Sequence, residues 1–570
     1  MKNFLTTACF FTISTIALAQ KFSGPHLQKK DNATQLIVQG KPFLVLGGEL
    51  HNSSTSSAVY MRPIWEQMKN KNVNTVIAPV YWELVEPVQG KFDFSLVDSM
   101  LAGARQQNLR LVILWFASWK NGYSTYPPSW VKNNYEKYPR AKDKNGKTLQ
   151  HLTALSETSA DADAAAFKAL MKHVREVDAK YQTVIMAQIE NEVGLFGTPR
   201  DYNDAANKAY NSNVPKDLMK YISNGKAKLQ PEMDSVWKLN GSKTSGTWEE
   251  VFGKSIVDDK NWKALSYLTE ELFTAYYYAK YMGKVASEGK EAYPIPMYVN
   301  AWIKQPGFEK PGKYPSGGPI PHTLDVWRAV APAIDLIEPD IYVPDATYTI
   351  EQYHREGNPV FIPEMRPGVR SANEAFWAFG QHDLIGYATF GIDESKPEDD
   401  PITKTFGALE QVQELILQHQ GDGTMAGILL DTSKRKQEFD LAGYRISAQL
   451  GSGSLAELAG FTVGQKKTDI AGGIIISTGK DEFIAIGKDY NLSFTPLQPD
   501  GKILDVDFLD EGTFVDGKWV TTRRLNGDEG TGGGDYGFGF GSGGISAALK
   551  FRPSTNGEYS IVKFKIYKYK

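Results

Sequence analysis

The first two thirds of the chain alternate between short apolar runs and longer segments with helical periodicity. Runs of this length, rich in β-branched residues, are typical of strands that are buried on both faces. The predicted strands lie at 43–46, 75–80, 110–116, 183–189, 297–300, 336–342, 360–363 and 386–390, and the clearest helices at 64–71, 96–107, 164–178 and 263–287. Eight strands separated by helices predict an α/β fold, a (β/α)8 TIM barrel with insertions. A doubly wound sheet is disfavoured because no G-x-G-x-x-G turn follows the first strand.

The pattern changes after a helix predicted at 403–419. Beyond this helix, short alternating runs are separated by turns rich in Gly, Asp and Asn, with strands expected at 426–430, 439–447, 473–478, 482–486, 503–509 and 559–567. This alternation predicts an antiparallel β-sandwich over 421–570, following a barrel domain over 20–420. The largest insertion in the barrel, at about 196–262, is expected to be helical, and the glycine-rich segment at 527–544 to be a loop.

The N-terminus has the features of an export signal. Lys2 precedes an apolar stretch, and Ala17-Leu18-Ala19 is a small-x-small cleavage site, so residues 1–19 are expected to be removed and the product to be periplasmic or extracellular. Cys9, the only cysteine, lies in this segment, so the mature chain is expected to contain no disulfide. No second apolar stretch of spanning length follows, which argues against membrane insertion.

Composition excludes several function classes. The 63 basic and 66 acidic residues give a net charge of -3, and no long basic run offers a footprint for nucleic acid. No H-E-x-x-H motif or cluster at ligand spacing is present, so we expect neither a metal nor another cofactor. Asp335, Glu338 and Asp340 are read as solvated or hydrogen-bonded side chains. A serine hydrolase is disfavoured because the chain has no G-x-S-x-G elbow.

Two predicted strands end on a glutamate. Glu192 follows the fourth strand in the run Gln188-Ile189-Glu190-Asn191-Glu192, and Glu364 follows the seventh. In a TIM barrel, side chains at the carboxyl ends of strands face the reaction site. Two carboxyl groups about 5–5.5 Å apart cleave glycosidic bonds with retention, one as nucleophile and one as acid/base. The pair therefore predicts a sugar-cleaving enzyme, with Arg366 expected to stabilise the charge of Glu364.

Several segments resemble glycoside hydrolase family 35, the exported β-galactosidases. The resemblance covers roughly residues 42–390 and is carried by Asn-Glu-x-Gly at the fourth strand, Pro128-x-Trp130, and the segments 62–65, 72–76, 81–87 and 90–94. It implies that Glu192 is the acid/base, that Glu364 is the nucleophile and that Asn191 donates to the sugar 2-hydroxyl.

This sequence departs from the family pattern at some positions. Glu83 stands where the family usually has Asn, Val193 where it has an aromatic residue, and Met365-Arg366 where it has Phe-Trp. His51 fits the histidine of the first strand. The chain is therefore identified as a divergent branch, for which the resemblance implies removal of terminal β-galactose from plant cell-wall oligosaccharides, with xyloglucan as the leading substrate.

Further binding residues are predicted from their positions at strand ends. Tyr342 is expected to donate its hydroxyl to the nucleophile, and Glu86 to cap a turn. The side chains expected to contact sugar are Glu49, Glu83, Asn300, Trp302 and Trp115. For Tyr342 and Trp115, a purely packed aromatic ring is the alternative.

Three other functions remain open from the sequence. Another retaining glycosidase of the same superfamily, such as a β-mannanase or an α-L-arabinosidase, would use the same two glutamates. A non-catalytic carbohydrate-binding barrel is the third, and it is disfavoured because a binder has no need of the pair. The oligomeric state is not indicated by any feature of the chain.

Overall fold

The fold of the chain was analysed in a computed structural model. The structure describes residues 24–225, 228–254, 269–355, 357–451, 469–515, 517–525, 547–551 and 559–570. The predicted export signal with Cys9 lies outside the described residues, as do the glycine-rich segment at 527–544 and residues 255–262 of the predicted insertion. Among the helices of the described residues, none is both long and apolar enough to cross a membrane.

The N-terminal two thirds of the chain contain the following strands and helices, numbered along the chain. The strands are β1 (His26–Lys30), β2 (Ala33–Val38), β3 (Lys41–Phe43), β4 (Val45–Glu49), β5 (Thr75–Tyr81), β6 (Arg110–Lys120), β7 (Arg140–Lys142), β8 (Thr148–Leu152), β9 (Val184–Asn191), β10 (Met297–Trp302), β11 (Leu336–Ile341), β12 (Phe361–Met365) and β13 (Gly386–Phe390). The helices are α1 (Ala58–Asn70), α2 (Trp82–Val85), α3 (Ser95–Gln106), α4 (Ser129–Lys132), α5 (Glu157–Asp178), α6 (Asp204–Tyr210), α7 (Lys216–Ser223), α8 (Pro231–Leu239), α9 (Trp248–Phe252), α10 (Thr269–Ala292), α11 (Leu324–Val330), α12 (Thr347–Tyr353), α13 (Val369–His382) and α14 (Pro401–His419).

Eight of these strands form a closed parallel barrel in the order β4, β5, β6, β9, β10, β11, β12, β13, with β13 paired to β4. Each predicted barrel strand is present, and the predicted TIM barrel is confirmed. The small sheet β1–β3 packs against the amino-terminal end of the barrel, where Leu36 and Val38 join the apolar interior cluster. Helices α6 to α9 lie in the described part of the predicted insertion.

The barrel strands divide their side chains between two environments, because successive residues of a strand point to opposite faces. In β6, Val112, Leu114 and Phe116 belong to the interior cluster. The alternate residues, including Trp115, belong to the cluster between strands and helices. Both faces are buried, so the strand sequences are continuously apolar and the inward face is not obvious from the sequence.

The C-terminal part of the chain forms two antiparallel sheets. Its strands are β14 (Met425–Asp431), β15 (Lys436–Leu441), β16 (Tyr444–Leu450), β17 (Ile470–Gly479), β18 (Glu482–Gly487), β19 (Tyr490–Pro496), β20 (Ile503–Val515), β21 (Lys518–Arg524), β22 (Ala547–Phe551) and β23 (Ser560–Tyr569). One sheet has the order β14-β17-β18-β23-β20-β21 and the other β15-β16-β19-β22. The antiparallel architecture of this part is therefore confirmed.

The single strand predicted at 439–447 is wrong, because the segment contains a hairpin. Strands β15 and β16 pair up to Leu441 and Tyr444, so only Ala442 and Gly443 connect them. Both residues have positive φ, 50° and 85°, as a type I′ turn requires. The alanine in this turn gave no turn signal, since an L residue other than Asn, Asp or Gly is uncommon there.

The larger sheet contacts the barrel helices through one face and the smaller sheet through the other. Ile474 and Ile476 belong to the cluster that contains the barrel helices. Ile475, between them, belongs to the cluster between the two sheets. Arg370 of α13 also forms an ion pair with Asp431 at the end of β14, at 3.0 Å. The continuous apolar sequence of β17 therefore reflects burial on both faces.

A buried ion pair connects α1 to the segment that follows the last barrel strand. The Lys71 ammonium lies 2.9 Å from Asp400 and also donates to the Ile392 carbonyl, and neither charged side chain is more than 5% exposed. Removing one partner of such a pair leaves an uncompensated charge in the interior.

We expect Lys71→Met to lower the free energy of unfolding by about 3–5 kcal/mol, because Asp400 loses its buried partner. Urea unfolding followed by tryptophan fluorescence would measure the change. Lys238→Met, which breaks an exposed pair with Asp234, is the matched control, and we expect it to cost less than about 1 kcal/mol. Equal losses in the two variants would contradict the assigned role of Lys71.

Candidate active site

Four buried carboxyl groups meet at the carboxyl end of the barrel. One carboxylate oxygen each from Glu192, Asp340 and Glu364 lie within 4.8 Å of one another. Glu49, at the end of β4, is fully buried, and its charge interacts with those of Glu192 and Glu364. The strands that supply these residues are the first, fourth, sixth and seventh of the barrel. The structure therefore brings together the two glutamates that the sequence singled out.

The end of β9 has an unusual backbone. Glu190 and Glu192 have φ of 58° and 47°, in the left-handed region that costs an L residue of order 1–3 kcal/mol. Strand β6 bulges alongside, since Trp115 pairs with Ile189 and Lys120 with Asn191. Two left-handed residues interrupt the alternation of the strand, and this sets the direction in which each polar side chain leaves it.

Glu190 fills the bulge in β6 and does not join the acid cluster. Its carboxylate accepts hydrogen bonds from the backbone N–H groups of Ala117, Ser118 and Trp119 at 3.1, 2.8 and 2.8 Å. Burial, and then the neighbouring Asp163 of α5, raise the pKa of Glu190 well above its usual range. Glu190 is thus a structural carboxyl that fixes the end of β6 against the end of β9.

An amide network holds Asn191 and Glu192 in place. The Asn300 side chain accepts a hydrogen bond from the backbone N–H of Glu192 at 2.8 Å, and donates to Asn191 at 2.9 Å and to Asp340 at 2.6 Å. Gln188 also donates to the side-chain oxygen of Asn191, at 3.0 Å. Asn300 therefore lies among the acidic residues, but in the described structure it positions other side chains of the site.

The two glutamates occupy different electrostatic environments. Burial, and then the charge of Glu364, raise the pKa of Glu192 to about 8. Burial also raises the pKa of Glu364, while the Lys120 charge and a hydrogen bond from the Tyr342 hydroxyl act in the opposite direction. The geometry thus places one carboxyl group that holds its proton at neutral pH beside one whose ionised form is stabilised, with an oxygen of each within 4.8 Å of the other.

Lys120 is a residue of the site that sequence analysis missed. It ends β6, its ammonium lies 5.2 Å from the ring centroid of Phe116 in the barrel interior, and its charge lowers the pKa values of Glu49, Glu192 and Glu364. The only feature of the sequence that pointed to Lys120 was its position at the end of the third barrel strand. The apolar run before Lys120 did not indicate the bulge in β6 that turns this side chain inward.

Asp340 was also missed as a site residue. Leu336, Glu338 and Asp340 alternate with the outward-facing Ile337 and Ile341, and both acidic residues are fully buried. Of the two alternatives expected for these residues, burial excludes solvation for this pair, and Asp340 accepts a hydrogen bond from Asn300. Asp335 differs from them, since it forms an ion pair with Lys290 at 2.6 Å. Side chains alternate between the two faces of a strand. This alternation would have distinguished Asp335 from Glu338 and Asp340 if the inward face of β11 had been known.

Three sequence predictions need correction. Trp115 is fully buried on the outer face of β6 and donates to Asp163 at 2.9 Å, so it does not face the cavity. Arg366 donates to Glu374 of α13 at 2.9 Å, so its guanidinium is not the partner of Glu364. Glu83 lies in α2 and forms an ion pair with Lys132 at 2.9 Å, away from the carboxyl cluster.

Other predicted residues lie at the rim of the site. Tyr342 donates to Oε1 of Glu364, and Trp302, partly exposed at the end of β10, contacts Phe196. His51 forms an ion pair with Glu394 at 2.6 Å. Glu86 accepts from the backbone of Gly90 at 2.7 Å, which confirms its turn-capping role. Contact of Glu49, Asn191, Asn300 and Trp302 with a sugar stays a prediction.

The four carboxyl groups could also be considered as ligands for a cation. Carboxylate oxygens are suitable donors for hard metal ions. Asn300 donates to Oδ2 of Asp340 and Tyr342 to Oε1 of Glu364. Oδ1 of Asp340, Oε2 of Glu364 and both oxygens of Glu49 have no hydrogen-bond partner among the described residues.

Comparison with known proteins agrees with the geometry. Residues 35–255 match the model of glycosyl hydrolases family 35, and residues 402–534 match a domain of unknown function, DUF5597. A β-galactosidase of Xanthomonas manihotis is 28% identical over 177 residues, which cover 30% of this chain and 27% of that relative. The chain thus matches about a quarter of the length of this curated relative.

Solved structures that match part of this chain include two enzymes at low identity. The β-galactosidase from Bacillus circulans sp. alkalophilus matches with a TM-score of 0.44 and 14% identity, over 66% of this chain and 57% of that one. The catalytic domain of a β-amylase from Paenibacillus polymyxa matches with a TM-score of 0.44 and 10% identity, over 66% and 98%. Because both TM-scores are low, the similarity to glycosyl hydrolases depends on the family model and on the sequence relative. Over residues 35–255, which include the first four barrel strands, this chain is similar to glycosyl hydrolases family 35.

Proposed function

We propose that this protein is a retaining, exo-acting β-galactosidase that removes terminal β-galactosyl residues from plant cell-wall oligosaccharides. The observation that carries the proposal is the pair of carboxyl groups, Glu192 and Glu364, with oxygens within 4.8 Å of each other. Retaining enzymes have carboxyl groups about 5–5.5 Å apart, whereas inverting enzymes need about 6.5–9.5 Å to admit a water molecule. The short separation supports a double displacement.

In the first step, Glu364 attacks the anomeric carbon and Glu192 protonates the departing glycosidic oxygen. Glu364 is suited to the attack because Tyr342 and Lys120 stabilise its carboxylate. Glu192 is suited to the protonation because its raised pKa, about 8, keeps the proton on it at neutral pH. The product of this step is a galactosyl ester of Glu364 and a free leaving group.

In the second step, Glu192 is ionised and removes a proton from water, which attacks the anomeric carbon and releases galactose. The loss of charge at Glu364 in the ester lowers the pKa of Glu192, because repulsion between the two carboxylates no longer opposes ionisation. The Asn191 side-chain oxygen accepts from Asn300 and Gln188, and its amide nitrogen donates to Asn121 at 3.2 Å. We assign the second N–H of this amide to a sugar hydroxyl.

The choice of sugar rests on the comparisons. The relative from Xanthomonas manihotis is named a β-galactosidase, and this supports galactose as the sugar removed. Galactose on xyloglucan side chains is our leading substrate. The export signal predicted at 1–19 supports this choice, because such a polysaccharide would be met outside the cytoplasm.

A panel of nitrophenyl glycosides tests the sugar preference. We expect hydrolysis of the β-galactoside at a rate at least about tenfold above the β-mannoside and the α-L-arabinoside, since one well-placed hydrogen bond in a polar site is worth that factor. Preferred cleavage of either of the other two would replace the first function with a related glycosidase. No cleavage of any glycoside would favour a carbohydrate-binding barrel.

Variants of the two glutamates test their roles. We expect Glu364→Gln to abolish turnover, because no galactosyl ester can form. We expect Glu192→Ala to lower kcat/KM by about 10²–10⁴-fold for leaving groups that need protonation. Azide should partly restore turnover of an activated aryl galactoside by Glu192→Ala, with β-galactosyl azide as the product seen by NMR. Glu66→Gln, on an exposed position of α1, is the control, and near-normal activity of Glu364→Gln would contradict the assignment.

The pH dependence tests the contribution of Lys120. Activity requires Glu364 ionised and Glu192 protonated, so kcat/KM should fall as the pH rises through about 8. Lys120→Met removes a charge that lowers both pKa values, so both limbs of the pH profile should move to higher pH.

Two matched variants complete this experiment. Lys120→Arg keeps the charge and should keep the limbs of the wild-type profile. Lys132→Met, which breaks the rim pair with Glu83, should not shift them. A profile of Lys120→Met that coincides with the wild type would show that this ammonium does not act on the glutamates.

A further inference from the structure

The carboxyl end of the barrel, around the carboxyl cluster, has two rims. On the side of Glu364, at the ends of β11 to β13, the Phe390 ring lies 6.4 Å from Tyr342 and 5.1 Å from His51. On the side of Glu192, at the ends of β6, β9 and β10, lie Tyr123, Phe196 and Trp302. We call these three residues the aromatic ledge.

The rings of the aromatic ledge contact one another in sequence. Tyr123 stacks on Phe196 with centroids 5.5 Å apart and an interplanar angle of 14°. Phe196 meets Trp302 at 5.5 Å and 78°, an edge-to-face contact. Tyr123 is 44% exposed, and the other two rings are partly exposed. Since an edge-to-face pair leaves a face of one partner uncovered, the ledge presents apolar ring surface to solvent.

The aromatic ledge is held to the active site by backbone contacts. Tyr123 and Lys120 exchange two backbone hydrogen bonds, at 2.8 and 2.9 Å, immediately after the end of β6. Leu195, which precedes Phe196, exchanges two more with Ser316, at 2.9 and 3.0 Å. Trp302 is two residues beyond Asn300, whose side chain binds the backbone of Glu192. Each ring therefore follows a strand end that also places a residue of the site, namely Lys120, Glu192 or Asn300.

A buried histidine and a glycine pack against the rings of the aromatic ledge. His151 of β8 stacks on Tyr123 at 5.0 Å, and neither of its ring nitrogens has a hydrogen-bond partner among the described residues. Burial lowers the pKa of His151 to about 4, so the ring is uncharged at neutral pH. At Gly122, an added Cβ would lie 2.8 Å from the Gly194 carbonyl and 3.0 Å from the Phe196 ring, so close packing of the two loops requires glycine.

The position of the ledge indicates which part of a substrate it meets. A general acid must lie within hydrogen-bond reach of the oxygen that it protonates. That oxygen belongs to the leaving group, so the leaving group extends over the rim beside the acid, and the galactosyl residue lies over the nucleophile. The aromatic ledge is on the rim of Glu192, the proposed acid.

The chemistry of the ledge indicates the class of ligand. Its rings are uncharged and rigid, and Tyr123 adds a hydroxyl that can donate or accept a hydrogen bond. A pyranose ring has an apolar face and polar edges, which match an aromatic surface with a hydroxyl at its border. An anionic group would be disfavoured here relative to an uncharged sugar, because the faces of aromatic rings carry partial negative charge.

We propose that the aromatic ledge of Tyr123, Phe196 and Trp302 binds the first sugar ring of the leaving group, and so selects oligosaccharides over simple galactosides. This proposal rests on the proposed function. It makes Tyr123 and Phe196 specificity residues, neither of which was singled out by the sequence.

Two substrates separate binding at the ledge from chemistry. β-Galactosyl fluoride has a single atom as its leaving group and cannot reach the ledge, whereas a galactosyl disaccharide such as lactose places a pyranose there. We expect Tyr123→Ala and Phe196→Ala each to lower the ratio of kcat/KM for the disaccharide to that for the fluoride by about tenfold, which corresponds to about 1.4 kcal/mol.

The controls distinguish a ring effect from loss of fold. Tyr123→Phe keeps the ring and should retain most of the wild-type ratio. Tyr348→Ala, a 68% exposed aromatic on α12 at the other rim, should leave the ratio unchanged. Turnover of the fluoride by each variant shows that the barrel is folded and the glutamates are in place.

The outcomes are separable. An unchanged ratio in both alanine variants, with the disaccharide and the fluoride both turned over, would overturn the ledge as a leaving-group site. An equal fall for both substrates would also overturn it, since the rings would then support the catalytic centre itself. Failure of the wild-type protein to cleave either galactoside would instead overturn the proposed function.

Discussion

The structure of this site depends on the cost of burying several carboxyl groups in one cavity. Glu49, Glu192, Asp340 and Glu364 are all nearly inaccessible to solvent, and burial is the largest cause of the raised pKa of each. Four neighbouring carboxyl groups cannot all be ionised in a buried site of low polarity. Protons must be shared among them, and a cation is needed close by. Lys120 supplies that cation at the end of the third barrel strand.

The same constraint explains the irregular backbone around the cluster. Unfavourable φ values at Glu190 and Glu192 are sustained because the Glu190 carboxylate satisfies three backbone N–H groups and the Glu192 N–H is bound by Asn300. Strain of this kind persists only where the surrounding contacts over-determine it. The bulge that Glu190 fills also directs the chain to Lys120 and to Tyr123 beyond it. Charge balance at the centre and aromatic surface at the rim thus have a common structural origin.

The barrel could be predicted from the chain because its strands and helices differ in local pattern. Two glutamates at strand ends were also sufficient to predict that their carboxyl groups lie close together, because the parallel topology brings the carboxyl ends of the strands to one end of the barrel. The orientation of Trp115 could not be derived in the same way. Both faces of β6 are buried and apolar, so the sequence does not show which alternate residues point into the barrel. A one-residue error in this assignment moves every side chain to the opposite face.

The sequence by itself determined the barrel, the antiparallel C-terminal part and the two glutamates, since each depends on local periodicity or on topology. Only the tertiary structure decided which charges are partners, because ion pairs form between segments far apart in the chain. Arg366, two residues from Glu364, turns to Glu374 on a neighbouring helix, while Lys120 is brought to Glu364 by the closure of the barrel. Proximity along the chain does not define the field at a buried carboxylate, since that field depends on distances in space.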